Sequence, residues 1–216
     1  NLCDKNVSGD KVFKIDSHIA CGVAGIASDA NILLEHARVS CQRHRYTYKE
    51  PMAAEDLCIL LCDLKQGYTQ YGGVRPFGVA FLMGGYDAYH GFQLYHTEPS
   101  GNYSGWKAYA IGQNDGAAQS LLKQEWKEGM TLDAGLQLAL KVLSKTMDST
   151  KLSAEKVEIA TLTMGQAPFS SKILDPYSAD DDTAPEFKIL TPAQLKPLID
   201  EADKLRAQEE EEEANK

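Results

Sequence analysis

A chain of 216 residues, 43% of them apolar and 25% charged, is long enough for one globular domain with a sizeable core. No run of about 18 apolar residues occurs, and the polar start has no basic end leading into an apolar stretch. Neither a membrane span nor a secretory signal is therefore expected. The net charge of −9 sits mostly at the end: residues 176–216 hold twelve acidic against five basic side chains, so a nucleic-acid-binding body is excluded by sign.

Residues 12–15 give a short strand signal, and 19–27 (IACGVAGIA) form an apolar run of small residues that suits a buried strand. Over 30–49, Leu34, Ala37, Cys41, His44 and Tyr48 recur at steps of three and four, which predicts a helix that Pro51 ends. Over 56–71, Leu57, Leu60, Leu61, Leu64, Tyr68 and Tyr71 share a face, and Gly72-Gly73 terminates this second helix. Residues 77–83 read as a strand punctuated by Gly84-Gly85. Phe92, Leu94 and His96 alternate as another, and 106–111 return as a third after the turn Pro99-Ser100-Gly101-Asn102.

Asn114 or Asp115 is the expected cap of a helix reaching 128, with Ala118, Leu121 and Leu122 inward. Thr131 caps the next, whose inner face carries Leu132, Leu136, Ala139, Leu140, Leu143 and Met147. Residues 157–163 alternate as a strand, and a terminal helix starts at Thr191. Residues 164–187, with Asp180-Asp181-Asp182 and three prolines, read as a flexible acidic loop, and Glu209–Glu213 as a solvated, frayed end. Helices in pairs and strands in antiparallel groups favour an α+β fold of two stacked sheets with helices outside, over a parallel βαβ sheet. The expected division is a domain over 1–190, followed by a helix and acidic tail over 191–216.

The search for chemistry returns little. No phosphate-binding glycine loop and no nucleophile elbow occurs. Five cysteines, an odd number without framework spacing, suit a reducing compartment. Cys58 and Cys62 lie four apart, but no second pair follows, so they read as small core residues and not as zinc ligands. His44, on an apolar stripe, reads as a core or interface histidine. A nucleophilic pairing of Cys21 with a histidine is disfavoured because buried thiols are inert.

Three segments carry more. They are Gln70-Tyr71-Gly72-Gly73-Val74-Arg75-Pro76-Phe77-Gly78, then Gly91-Phe92-Gln93-Leu94-Tyr95 with Glu98-Pro99-Ser100-Gly101-Asn102-Tyr103 and Trp106-Lys107-Ala108, then Ala110-Ile111-Gly112. Together they resemble the alpha subunits of the proteasome core particle, whose pattern runs R-P-[FY]-G, L-Y, D-P-S-G, W and A-I-G. Glu98 departs from that pattern, standing where the family has Asp. The run from Leu152 to Leu162 (LSAEKVEIATL) and the Glu-rich end resemble the branch that fills the third alpha position.

The resemblance implies a four-layer αββα sandwich, the N-terminal-nucleophile hydrolase fold, used without a catalytic residue. On this resemblance, the first residues given are expected to fall after the family's gating tail, first helix and first two strands. The implied role is a structural subunit of a seven-membered ring of different alpha subunits. It would contact beta subunits, regulatory ATPases or other activators and assembly chaperones, and contribute to substrate gating in the cytoplasm and nucleus. The alternative is an active peptidase of the beta type. No cofactor, metal, nucleic acid or membrane is implied. The residues implied for subunit contacts are Tyr48, Glu50 and Pro51, in a connection that approaches the beta ring, and Tyr71, Arg75 and Phe77. Arg75, flanked by Tyr71 and Phe77, suits stacking combined with forked hydrogen bonds at a fixed junction.

Overall fold

The computed structural model describes residues 11–147, 152–166 and 183–214. The chain divides into two compact units, Asn1–Lys107 with Ala160–Lys188, and Ala108–Ile159 with Ile189–Lys216.

In the first unit, β1 (Val12–Asp16), β2 (Ile19–Gly25), β3 (Val79–Asp87), β4 (Gly91–Thr97) and β5 (Tyr103–Gly105) form one antiparallel sheet in sequence order. Side chains alternate across a strand, so the register sorts residues by face. The pairs Ile19↔Gly85, Cys21↔Met83 and Phe81↔Thr97 put Ile19, Cys21, Val79, Phe81 and Met83 on one face. That face packs on α1 (Ala27–Tyr48) and α2 (Ala54–Gln70). Leu33 and Leu34 of α1 and Leu57 and Leu61 of α2 are buried there, each worth roughly 2 kcal/mol of removed apolar surface.

The opposite face, with Ala20, Leu82, Gly84 and Leu94, shares a small cavity with Ala160, Thr161, Leu162 and Phe187 of a second sheet. That sheet is the hairpin of β6 (Ala160–Gln166) and β7 (Thr183–Ile189). Its strands run antiparallel: Leu190 N–H donates to Ile159 O at one end, and Gly165 lies beside Glu186 at the other. The stretch read as a loop over 164–187 therefore carries strand at both ends, and its acidic middle, 167–182, lies outside the described residues.

The second unit packs α3 (Asp115–Glu125), α4 (Leu132–Thr146) and α5 (Pro192–Ala214). α4 is covered on two sides: Leu138 and Val142 meet Ala118 of α3, and Leu140 meets Leu195 and Ile199 of α5. The periodic face read from the sequence holds at Leu136, Leu140, Leu143 and Met147. It fails at Leu132, which is 52% exposed, and at Ala139, because the second covered side turns them outward. Thr131 caps α4 through a bond from Ala134 N–H, 3.3 Å. Neither Asn114 nor Asp115 caps α3 with its side chain. The Asn114 amide donates instead to Thr146 O, 2.8 Å, tying the start of α3 to the end of α4. The backbone of α5 is helical through Glu209–Glu213, whose side chains lie outside the described residues.

Three strand assignments differ from the sequence reading. Gly84-Gly85 lie inside β3, and the hairpin turns at Ala88–His90, where Asp87 accepts the Tyr89 and His90 N–H groups at 2.9 and 2.7 Å. Residues 106–111 are not a strand. Trp106 N–H makes a last bond to Leu94 O, and its indole N–H folds back on Ser104 Oγ at 2.7 Å, so pairing stops there. The strand expected over 157–163 is shifted to Ala160–Gln166, because 153–156 close a turn through Lys156 N–H to Ser153 O.

Candidate interface surface

Helix α1 ends at Lys49, whose φ of 62° reverses the chain, and residues 49–53 lead directly into α2. This connection walls an open cleft of about 840 Å³. Tyr48, Glu50 and Pro51, three of the residues implied for subunit contacts, line it together with His44, and Tyr86 and Asp87 close the other side. Tyr48 is 65% exposed and stacks on His44 at 4.6 Å between ring centroids. His44 is thus neither core nor free; it stiffens the exposed end of α1.

His18 forms part of the cleft wall at 2% exposure. Its Nε2 meets Met52 O at 2.7 Å, which ties the α1–α2 connection to the β1–β2 turn. Burial lowers the His18 pKa, outweighing the opposite pulls of the Met52 bond and Asp16. Asp87 is held below its usual value. Burial alone would raise it, but hydrogen bonds from the Gln93 amide and from the His90 and Tyr89 N–H groups overcome that.

The other three implied residues are dispersed in role. Phe77 is buried in the helix-facing core and stacks on Tyr68 at 4.5 Å. Tyr71 is 72% exposed at the end of α2. Arg75 does make a fork, but on Asp29, with Nη1 and Nη2 at 2.6 and 2.7 Å from its two carboxylate oxygens. Asp29 also accepts Gly78 N–H at 2.9 Å, so the first turn of α1 holds the segment leading into β3. The Arg75 fork and the Gly78 bond hold the Asp29 carboxyl down to about 2. The partner stands 46 positions away, so no local spacing could reveal it.

Lys65 is a second residue missed from the sequence. Its side chain is fully buried; Nζ donates to Thr97 Oγ1 at 2.8 Å and Val79 O at 3.1 Å and lies 4.7 Å from the Phe81 ring centre. Burial pushes its pKa down to about 8, with the thiols of Cys62, Cys58 and Cys21 opposing. A signal did exist: Leu57, Leu61 and Lys65 step by four along the buried face of α2.

Among the described residues, the thiols of Cys21, Cys41, Cys58 and Cys62 are buried and not poised for chemistry. Cys21 is buried, and desolvation pushes it up to about 12. Cys58 rises further for the same reason, and its S–H contacts the Met83 sulfur at 3.5 Å. Among the described residues, no three His, Cys, Asp or Glu side chains are grouped to hold a metal ion, and no helix is long and apolar enough to cross a membrane.

Residues 3–162 match the proteasome subunit family. The chain is 63% identical over 159 residues to proteasome subunit alpha type-4-1 of Oryza sativa subsp. japonica, and 60% to proteasome subunit alpha type-4 of Petunia hybrida. It is 59% identical to proteasome subunit alpha type-4-A of Arabidopsis thaliana. Each comparison covers 74% of this chain and 64% of the relative, so the chain spans just under two thirds of the length of the proteins it matches. The match runs through both helices beside the cleft and through all five strands of the larger sheet, and on that ground the chain belongs to the proteasome subunit family.

Proposed function

We propose that the chain is a non-catalytic, structural alpha-type subunit of a proteasome core particle. The observation that carries this is the 63% identity over 159 residues to subunits named alpha type-4. On this reading the two stacked sheets belong to a four-layer αββα sandwich of the N-terminal-nucleophile hydrolase fold, retained as a scaffold. The chain takes the third place in a ring of seven different alpha subunits, with head-to-tail contacts that close by rotation. It docks on a beta ring, helps gate substrate entry, and meets regulatory ATPases, other activators and assembly chaperones in the cytoplasm and nucleus.

Two local features support a scaffold role. The buried thiols with raised pKa values are unsuited to nucleophilic attack. The exposed Tyr48 and Tyr71 suit contacts at a subunit boundary. The beta-type alternative, an active peptidase, is not favoured by the names of the relatives. Turnover of fluorogenic peptides by the purified full chain separates the two. No cleavage above a buffer control is expected, and steady turnover would restore the peptidase reading.

A further inference from the structure

His18 holds the α1–α2 connection from a position that suits only its neutral ring. The residue is 2% exposed, and Nε2 lies 2.7 Å from Met52 O. A carbonyl only accepts, so the proton of the neutral ring sits on Nε2 and Nδ1 is a bare acceptor. Nδ1 and Asp16 Oδ2 are both buried without a hydrogen-bond partner. The His18 backbone is held as well, its carbonyl accepting Tyr86 N–H at 3.0 Å.

A second ring proton, on Nδ1, would meet a mixed set of charges. Asp16, at the end of β1, offers Oδ2 at 3.9 Å, beyond hydrogen-bond reach. Arg45 of α1 lies 3.5 Å from that same oxygen, and the other Asp16 oxygen accepts Ser17 N–H at 2.7 Å. Asp87, at the end of β3, acts on the ring too, but it is engaged by the Gln93 amide and the Tyr89 and His90 N–H groups. His44, Lys49, Glu50 and Asp56 border the cleft that the ring also borders. Burial opposes the charged ring most strongly and Arg45 adds to it. The Met52 bond, Asp16 and Asp87 pull the other way without prevailing.

From this arrangement we infer that His18 is an acid-sensitive fastener: once protonated at Nδ1, its ring gives up Met52 O and turns into the neighbouring cleft, releasing the α1–α2 connection. The way out is short, because the ring already forms part of the cleft wall. A charged imidazole is poorly paired inside and hydrated outside. The open state binds the extra proton. Between the ordinary 6.5 and the lower folded value, the opening constant therefore grows as pH falls, by up to about tenfold per pH unit. The inference goes beyond the ring-subunit reading and concerns the chain by itself.

Amide hydrogen exchange on the full chain, corrected for the intrinsic pH dependence of exchange, tests it from about pH 7.5 to about pH 5. The reporters are Leu57 N–H, bonded to Ala53 O beside Met52, and Tyr86 N–H, bonded to His18 O. Their opening constants are expected to rise about threefold or more across this range. His18→Gln keeps an N–H for Met52 O and cannot titrate, so its opening constants should be flat. Asp16→Asn removes an attraction for the proton and Arg45→Gln removes a repulsion. The His18 ring midpoint, read by NMR, should fall in the first and rise in the second, each by about half a pH unit or more. If His18→Gln does not fold, these two variants decide. Wild-type opening constants that stay flat would overturn the inference, as would a pH dependence that survives His18→Gln. So would midpoints that do not move apart in Asp16→Asn and Arg45→Gln.

Discussion

Arg75 and Asp29 show how one pair of side chains fastens a loop to a helix. The fork needs two N–H groups in one plane, and a lysine offers only a point charge. Arg75→Lys is therefore expected to lower the melting temperature almost as far as Arg75→Ala, as a thermal scan would show. Acid titration gives a second check. The folded Asp29 carboxyl titrates at about 2 against an ordinary 3.8, so the folded state binds fewer protons than the unfolded state between those values. Its contribution is complete above pH 3.8 and is lost as pH falls through 2. Asp29→Asn should flatten that part of the stability profile, and a profile identical to the wild type would contradict the assignment. The sequence pointed to a forked bond at Arg75. It could not name Asp29, because long-range pairing is set by how β3 returns beside the start of α1.

At the scale of elements, β3 and α2 make opposite demands on neighbouring residues. Gly84 faces the second sheet, and a Cβ there would touch nothing within 4 Å. Gly85 faces α2, where a Cβ would lie 2.6 Å from that of Ala54. Gly84→Ala should stabilise the protein by up to about 1 kcal/mol by removing backbone entropy from the unfolded chain. Gly85→Ala should destabilise it by about 1–3 kcal/mol through overpacking, and denaturant midpoints would separate the two. Read as sequence, the pair looks like a turn. What the string of letters does not carry is the helix end seated on the sheet, which is the reason a small residue stands at 85.

Lys65 sits in the same joint. Its folded pKa of about 8 lies below the ordinary 10.5, so between these values the unfolded chain holds the extra proton and stability rises with pH. Lys65→Met removes this dependence. Measured against that variant, the wild type should gain ~2–3 kcal/mol from pH 8 to 10.5, the worth of the shift. A constant difference across that range would mean that the amine is solvated. The helices were legible because their apolar faces repeat at steps of three and four, and the strands because they alternate. The end of β5 was not. Trp106 leaves the sheet through a side-chain bond to Ser104 that no propensity encodes.

For the whole molecule, the order of elements foretold two sheets with helix pairs, and three short motifs pointed to the family. The division into two units was not visible, because the second unit is assembled from 108–159 and a helix beginning at Pro192, far along the chain. Nor was the cleft, whose walls come from the β1–β2 turn, both helices and their connection, the end of β3 with the turn after it, and Pro185. On the proposed function, this chain would be a non-catalytic member of a hetero-oligomeric barrel. Native mass spectrometry of the complex carrying the endogenous chain tests it most directly. The expected result is recovery with six other alpha-type and seven beta-type subunits in each half of the particle, one copy of this chain per ring. Recovery of the endogenous chain as a stable monomer or a small homo-oligomer would contradict it.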